Sequence, residues 1–311
     1  MEELIQLDSY PVKTTLDILL KDQTTKKNII WATRSYIDSG EVYSDRFQIT
    51  KEALQGLNPI LIQPRVTKSL EAQQARTKSK AEVFTPSWIC NKMNNYCDEE
   101  WFGRKDVFNR EEEKSWKANL AKVEFPEGKK WKDYVQSPRL EITCGEAPFI
   151  VSRYDASTGE IIPILERIGQ LDRKLRIVNE NAHEWKNWWL WTRHAFKSVF
   201  GYEFQGDNLL IGRINLLMTF VDYLEDKWDR EPTEDELKDI ATIISWNFWQ
   251  MDGLTDCVPM GVPMTKNQQF SIFDFDENGE LKENEETSPQ CIIKDWKRKK
   301  NILFKDMKKE K

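Results

Sequence analysis

The chain has 311 residues, a formal net charge of −6 and 32% charged residues. That length buries a full core and holds one large domain or two small ones, while the acidic balance excludes a globally basic nucleic-acid binder. No apolar run approaches the length of a membrane helix and the acidic start Met1-Glu2-Glu3-Leu4 is no signal peptide, so a cytoplasmic protein with no membrane partner is expected.

In chain order, Thr14 to Lys21 carries apolar residues at helical spacing, and an apolar Ile29-Ile30-Trp31 follows. Gln63 to Lys80 is polar and holds Arg65, Lys68, Arg76, Lys78 and Lys80, an exposed helix or linker whose cations face either solvent or DNA. Pro86-Ser87-Trp88-Ile89 with Met93 opens a helix, with Thr85 as its cap. Residues 98–137, charged and dotted with tryptophan, predict a helical or looped insertion with few strand signals. Arg139 to Thr143 alternates as a strand and runs into a glycine-containing turn; Asp155 to Gly159 is another turn, and Ile164 to Trp191 predicts a helix. Val199-Phe200 begins a short strand that ends at Glu203. Asn208 to Asp226 is the clearest helix, with Leu210, Ile214, Leu217, Met218, Val221 and Leu224 on one side. Thr233 and Glu236 form a capping box for a helix reaching about Ile244, and Trp246 to Trp249 predicts a strand that ends at Asp252. Asp274 to Ser288 is acidic and turn-rich. Lys294 to Lys311 carries nine Lys/Arg, either a DNA-facing patch or a solvated terminus.

These elements divide into an N-terminal helical region (1–80), a central α/β unit (81–260, insertion about 98–137) and a C-terminal loop with a basic tail (261–311). Alternation of strand and helix through the middle predicts a parallel sheet. The thirteen tryptophans suit a thick aromatic core or a base-stacking surface. Five scattered cysteines without a CxxC pair, two histidines and no G-x-S-x-G argue against a zinc site, a disulfide framework and a serine triad.

Small ligands of open α/β sheets sit at the carboxyl ends of the strands, and three predicted strand ends here bear an acid: Glu141, Glu203 and Asp252. Four segments in order, Ala81-Glu82-Val83-Phe84-Thr85-Pro86, Leu140 to Ile150, Phe200-Gly201-Tyr202-Glu203 and Gln250-Met251-Asp252-Gly253-Leu254, resemble the cofactor-binding motifs of the adenine-N6 DNA methyltransferases of restriction-modification systems. The resemblance covers roughly residues 80–255. It implies a Rossmann-like methyltransferase sheet flanked by helices, S-adenosylmethionine as cofactor, DNA as partner, and cofactor contacts from Phe84, Thr85, Pro86, Glu141, Thr143, Cys144, Gly145, Glu203 and Asp252. In that scheme Glu141 holds the methionine ammonium, Glu203 the ribose hydroxyls and Asp252 the adenine amine.

The chain departs from the family pattern where Glu141 replaces Asp, Ile142 replaces Pro and Ala147 replaces the second Gly of the first motif. It also lacks the catalytic Asn/Asp-Pro-Pro-aromatic tetrapeptide; the nearest match after Asp252 is Ser288-Pro289-Gln290-Cys291. Two expectations follow: a methylase or methylase subunit completed by a partner, or a non-catalytic cofactor- or DNA-binding scaffold of a restriction complex. A nuclease reading finds no Asp…Glu-x-Lys set on a convincing strand pair.

Overall fold

The computed structural model describes residues 4–68, 73, 85–261 and 288–308. Phe84, most of the basic stretch between 69 and 80, and the acidic segment up to residue 287 lie outside the described residues. The fold is mixed α/β. Helices are α1 (Val12–Leu19), α2 (Lys51–Gln55), α3 (Ser87–Phe102), α4 (Trp131–Gln136), α5 (Gln170–Asn181), α6 (Trp185–Lys197), α7 (Gly206–Trp228), α8 (Glu234–Asn247) and α9 (Phe304–Met307). Strands are β1 (Asn109–Glu111), β2 (Trp116–Ala118), β3 (Arg139–Glu141), β4 (Val199–Glu203), β5 (Phe248–Gln250), β6 (Ile292–Asp295) and β7 (Lys300–Leu303). Among the described residues no helix is long and apolar enough to cross a membrane.

The largest sheet among the described residues is β3-β4-β5, three parallel strands with Glu141 opposite Gly201 and Glu203 opposite Gln250. β1–β2 and β6–β7 are separate antiparallel pairs. Helix α7 runs through the core against α1, α5, α8 and β5. Leu210, Leu217, Phe220 and Leu224 are fully buried, and so are Leu209, Ile211 and Leu216 on its other sides. At about 1.5–3 kcal/mol per buried side chain, this helix is the main apolar contributor.

The N-terminal region is laced into that core. Ile30 N–H donates to Gln250 Oε1 (2.8 Å) and Gln250 Nε2 donates back to Ile30 O (2.9 Å), so a side-chain amide serves where a neighbouring strand would. Arg213 of α7 is fully buried and donates to the carbonyls of Leu19 and Lys21 at the end of α1, and of Ser245 and Phe248. Arg173 of α5 donates to Asp98 of α3 (2.5 Å) inside the core, with Tyr134 O–H on the other oxygen of Asp98 (2.7 Å).

Several predicted elements move. The cap of α3 is Pro86, itself extended (ψ 145°) and with no side-chain bond, rather than Thr85, so the helix starts at Ser87. Within 98–137 the structure adds the β1–β2 hairpin, invisible to periodicity because its strands have three residues each; the reciprocal Asn91–Asn109 amide pair pins it to α3. The single helix expected over 164–191 is two: α5 starts only after Gly169, which lies against the carbonyl of Ile150, and Ala182 to Glu184 break it before α6. Trp246 lies in the last turn of α8, which runs to Asn247, instead of opening β5. The capping box is present, with Thr233 Oγ1 accepting from Glu236 N–H. Residues 292–308 form β6, β7 and α9.

Asp172, in the first turn of α5, accepts from Ser152 N–H (2.8 Å) and Oγ (3.1 Å), and Arg167 lies 4.0 Å away. Burial lifts its carboxyl to about 6. The native state therefore holds a proton that the unfolded chain releases near pH 3.9, and stability contributed here falls as pH rises from about 4 to about 6, by roughly 3 kcal/mol. Urea midpoints should show Asp172→Asn gaining on the wild type across that interval; parallel profiles would contradict this.

Candidate functional site at the carboxyl edge of the sheet

β3 delivers Glu141 and then turns sharply. The chain enters left-handed backbone at Thr143 (φ 46°), Gly145 (φ 53°) and Ala147 (φ 64°). Only Gly145 does so freely; an ordinary L-residue pays about 1–2 kcal/mol there, and β-branched Thr143 is the most unusual of the three. Such strain persists only where surrounding bonds impose it. Here Cys144 N–H donates to Tyr202 O (2.8 Å), Ala147 N–H to Cys144 O (2.7 Å) and Gly145 N–H to the Glu203 carboxylate (2.9 Å). From beneath, Gly212 of α7 lets the loop close in: a Cβ there would lie 3.1 Å from Gly145 O.

Glu203 ends β4, is 6% exposed, and also accepts from Gln205 N–H (3.1 Å) at the start of α7, where the helix dipole favours an anion. Glu141 is less settled. Its Oε1 is 3.5 Å from Phe149 N, and its Oε2 is buried with no hydrogen-bond partner. Burial, with the nearby Glu203 charge adding, pushes its carboxyl well above the ordinary range. A buried carboxylate oxygen without a donor is costly, and a ligand ammonium is one group that satisfies it. Thr143 is exposed, and its hydroxyl donates to Ile142 O (2.7 Å). Cys144 is buried; burial, then Glu141 and Glu203, push its thiol up, which suppresses the thiolate a nucleophile needs.

Thr85 and Pro86 lead into helix α3. The helix docks on the segment after β3 through Asn94 Nδ2, which donates to Phe149 O (2.9 Å) and Ile168 O (3.0 Å). Cys90 Sγ donates to Thr85 O (3.6 Å), and burial followed by the Glu141 charge pushes that thiol up. Asp252 lies at the third strand end, joined to the second by Met251 N–H donating to Glu203 O (3.0 Å). Its side chain is engaged locally: Oδ1 accepts from Leu254 N–H (2.8 Å), closing a turn in which Asp252 N–H donates to Cys257 O (2.9 Å). The structure thus bonds Gly145 to Glu203, places Glu141 within electrostatic reach of Glu203, and sets Asp252 at the same edge without linking its carboxylate to theirs.

Sequence reasoning missed a second polar layer. Glu146, 4% exposed, accepts from Arg65 N–H (2.6 Å) and Tyr154 O–H (2.7 Å), and Asn215 Nδ2 donates to Tyr154 Oη (3.0 Å). Asp207, next to Gly206, accepts from Tyr36 O–H (2.8 Å) with Lys68 Nζ 3.8 Å away. These bonds fold residues 36–68 over the strand ends. The available signal was an acid in the first turn of the clearest helix; its partners lie 139 or more positions upstream and have no local pattern.

No family model, no curated protein and no solved structure matches the chain.

Proposed function

We propose that the chain is an S-adenosylmethionine-binding, DNA adenine-N6 methyltransferase or the methylase subunit of a restriction-modification system, with β3-β4-β5 as the centre of a Rossmann-like sheet. The observation that carries this reading is the acid-bearing edge of the parallel sheet: the strained Thr143–Ala147 loop is tied by Gly145 N–H to the Glu203 carboxylate, beside a buried, donorless Glu141 oxygen. The three strand-end carboxylates offer the acceptors an adenosyl ligand needs. Glu141 would take the ammonium, Glu203 the ribose hydroxyls and Asp252 the adenine amine, which is the use acidic strand ends have in nucleotide folds. The cofactor supplies an electrophilic methyl for in-line transfer; the chain contributes position and charge complementarity.

A second reading, a non-catalytic scaffold, is favoured by one observation. In Ser288-Pro289-Gln290-Cys291, Pro289 O accepts from Val258 N–H (2.9 Å) and Cys291 N–H donates to Asp256 O (3.0 Å). That backbone is spent on a staple, so a partner would have to supply the groups that hold the target amine.

Equilibrium dialysis with labelled S-adenosylmethionine separates the strand ends. Asp252→Ala should weaken binding about tenfold, the worth of one hydrogen bond to a charged group. Asp252→Asn, which keeps the turn's acceptor, should fall between. Wild-type affinity in a folded Asp252→Ala variant would remove Asp252 from the site.

A further inference from the structure

At the opposite, amino-terminal edge of the same sheet the helices that precede its strands come to an end. Helix α4 stops at Gln136 before β3, α6 at Lys197 before β4, and α8 at Asn247 before β5. The β6–β7 hairpin is pinned to this edge by Trp296, whose Nε1 donates to Asn247 Oδ1 (2.8 Å). Across these elements ammonium groups alternate with indole rings. Lys26 Nζ lies 4.6 Å from the Trp246 ring, and Lys294 Nζ bridges Trp246 (5.1 Å) and Trp296 (5.0 Å). Lys197 Nζ sits 4.9 Å from Trp296 on its other flank. On α6, His194 packs against Trp191 (4.9 Å between rings), and Lys132 of α4 caps that ring at 4.9 Å.

Charge on this face is not balanced from within. Asp239 pairs with Arg193 (2.6 Å) and Asp295 with Arg298 (3.7 Å), leaving Lys197, Lys294 and Lys299 without a carboxylate at ion-pair distance among the described residues. Burial, then Arg193, with Lys294 and Lys299 adding, pulls the Lys197 ammonium down from its ordinary value against the opposing pull of Asp239, and burial with Lys197 and Arg193 does the same to His194. Cations crowd here in a chain whose net charge is −6, and Lys297 to Lys300 add four consecutive ones, all exposed. Each indole face holds an ammonium in place, which reduces the conformational freedom lost on contact with an anion.

We infer that this amino-edge ladder is a docking surface for the phosphate backbone of duplex DNA, separate from the carboxyl-edge site. A row of fixed, under-neutralised ammonium groups matches a line of phosphates and gains by counterion release. The indoles do not serve as base platforms: their faces are occupied by lysines, and Trp246 and Trp191 are each 8% exposed. Single strands bind by stacking on open aromatic faces, so the surface favours a duplex. The inference rests on the proposed function only for choosing DNA over another polyanion.

The test is fluorescence anisotropy of the full chain with a labelled duplex of roughly 30 base pairs, between about 50 and 200 mM salt. The Lys197→Gln, Lys294→Gln, Lys299→Gln triple variant should bind at least tenfold more weakly, and its log–log salt slope should be shallower by about 2.7. Its S-adenosylmethionine binding should be unchanged. An equal neutralisation at Lys105, Lys114 and Lys117 should leave duplex affinity as it was. If the triple variant does not fold, each single substitution should reduce the slope by about 0.9. Wild-type affinity in the triple variant, no duplex binding by the wild type, or tighter binding of a single strand of the same length would overturn the inference. Duplex binding by a chain that takes no cofactor would sustain it while removing the proposed function.

Discussion

Glu203→Gln is expected to lower the affinity for S-adenosylmethionine by at least about 100-fold while leaving the chain folded. The reason lies in acceptor count. The Glu203 carboxylate accepts from Gly145 N–H and from Gln205 N–H, one on each oxygen. A glutamine supplies one acceptor and turns an N–H₂ toward the other donor, so either the strained loop or the turn into α7 loses its anchor. Two ribose hydroxyls bound to a carboxylate are worth about 1.5–3 kcal/mol each, and losing both is a factor of about 10² to 10⁴. The loop adds to this, because Thr143 and Ala147 stay left-handed only while Gly145 is tied down. Equilibrium dialysis of the variant beside the wild type reads the effect, with circular dichroism reporting the fold. A Glu203→Gln chain that binds as tightly as the wild type would separate this carboxylate from the cofactor.

The largest expected effect on stability is at Arg213. Its guanidinium is fully buried and is satisfied by backbone carbonyls of Leu19, Lys21, Ser245 and Phe248 rather than by a hydrogen-bonded carboxylate. Burial holds its pKa down at about 10, so it is charged at neutral pH. Arg213→Met removes a buried charge, which is a gain, but strands carbonyls at the end of α1 and the start of β5, each costing about 1–3 kcal/mol. The net loss expected is about 3–5 kcal/mol, a large part of a typical domain's stability. Arg213→Lys keeps the charge but not the planar fork that spans two chain segments, and should lose about half as much. Urea denaturation followed by circular dichroism ranks the three chains; a lysine variant as stable as the wild type would show that charge alone suffices.

The site and the fold were legible in the sequence to different degrees, for physical reasons. The ends of β3 and β4 could be placed because alternation is a local signal, and β4 buries every second residue. The same holds for α7 and for the Thr233–Glu236 box, where cap and partner are three residues apart. The β1–β2 hairpin and the break before α6 left no trace, since a three-residue polar strand has no period and the start of α5 is dictated by the carbonyl of Ile150. Trp246 shows the same limit at one residue, where an apolar run fits the end of a buried helix as well as a strand. At the site, the acids at the strand ends could be read, but their bonding could not. That Glu203 clamps Gly145 across 58 positions, that Glu141 keeps a donorless oxygen, and that Asp252 spends its side chain on its own turn are products of tertiary packing. The Lys–Trp ladder is likewise assembled from five segments, of which only the basic terminal stretch stood out by composition.

Calorimetric titration of the wild-type chain alone with S-adenosylmethionine tests whether the carboxyl edge of β3-β4-β5 holds an adenosyl ligand. Saturable binding of one ligand per chain, without any partner, is the predicted result. A titration with no binding heat, together with no retention of labelled ligand in dialysis, would contradict an adenosyl site at this edge.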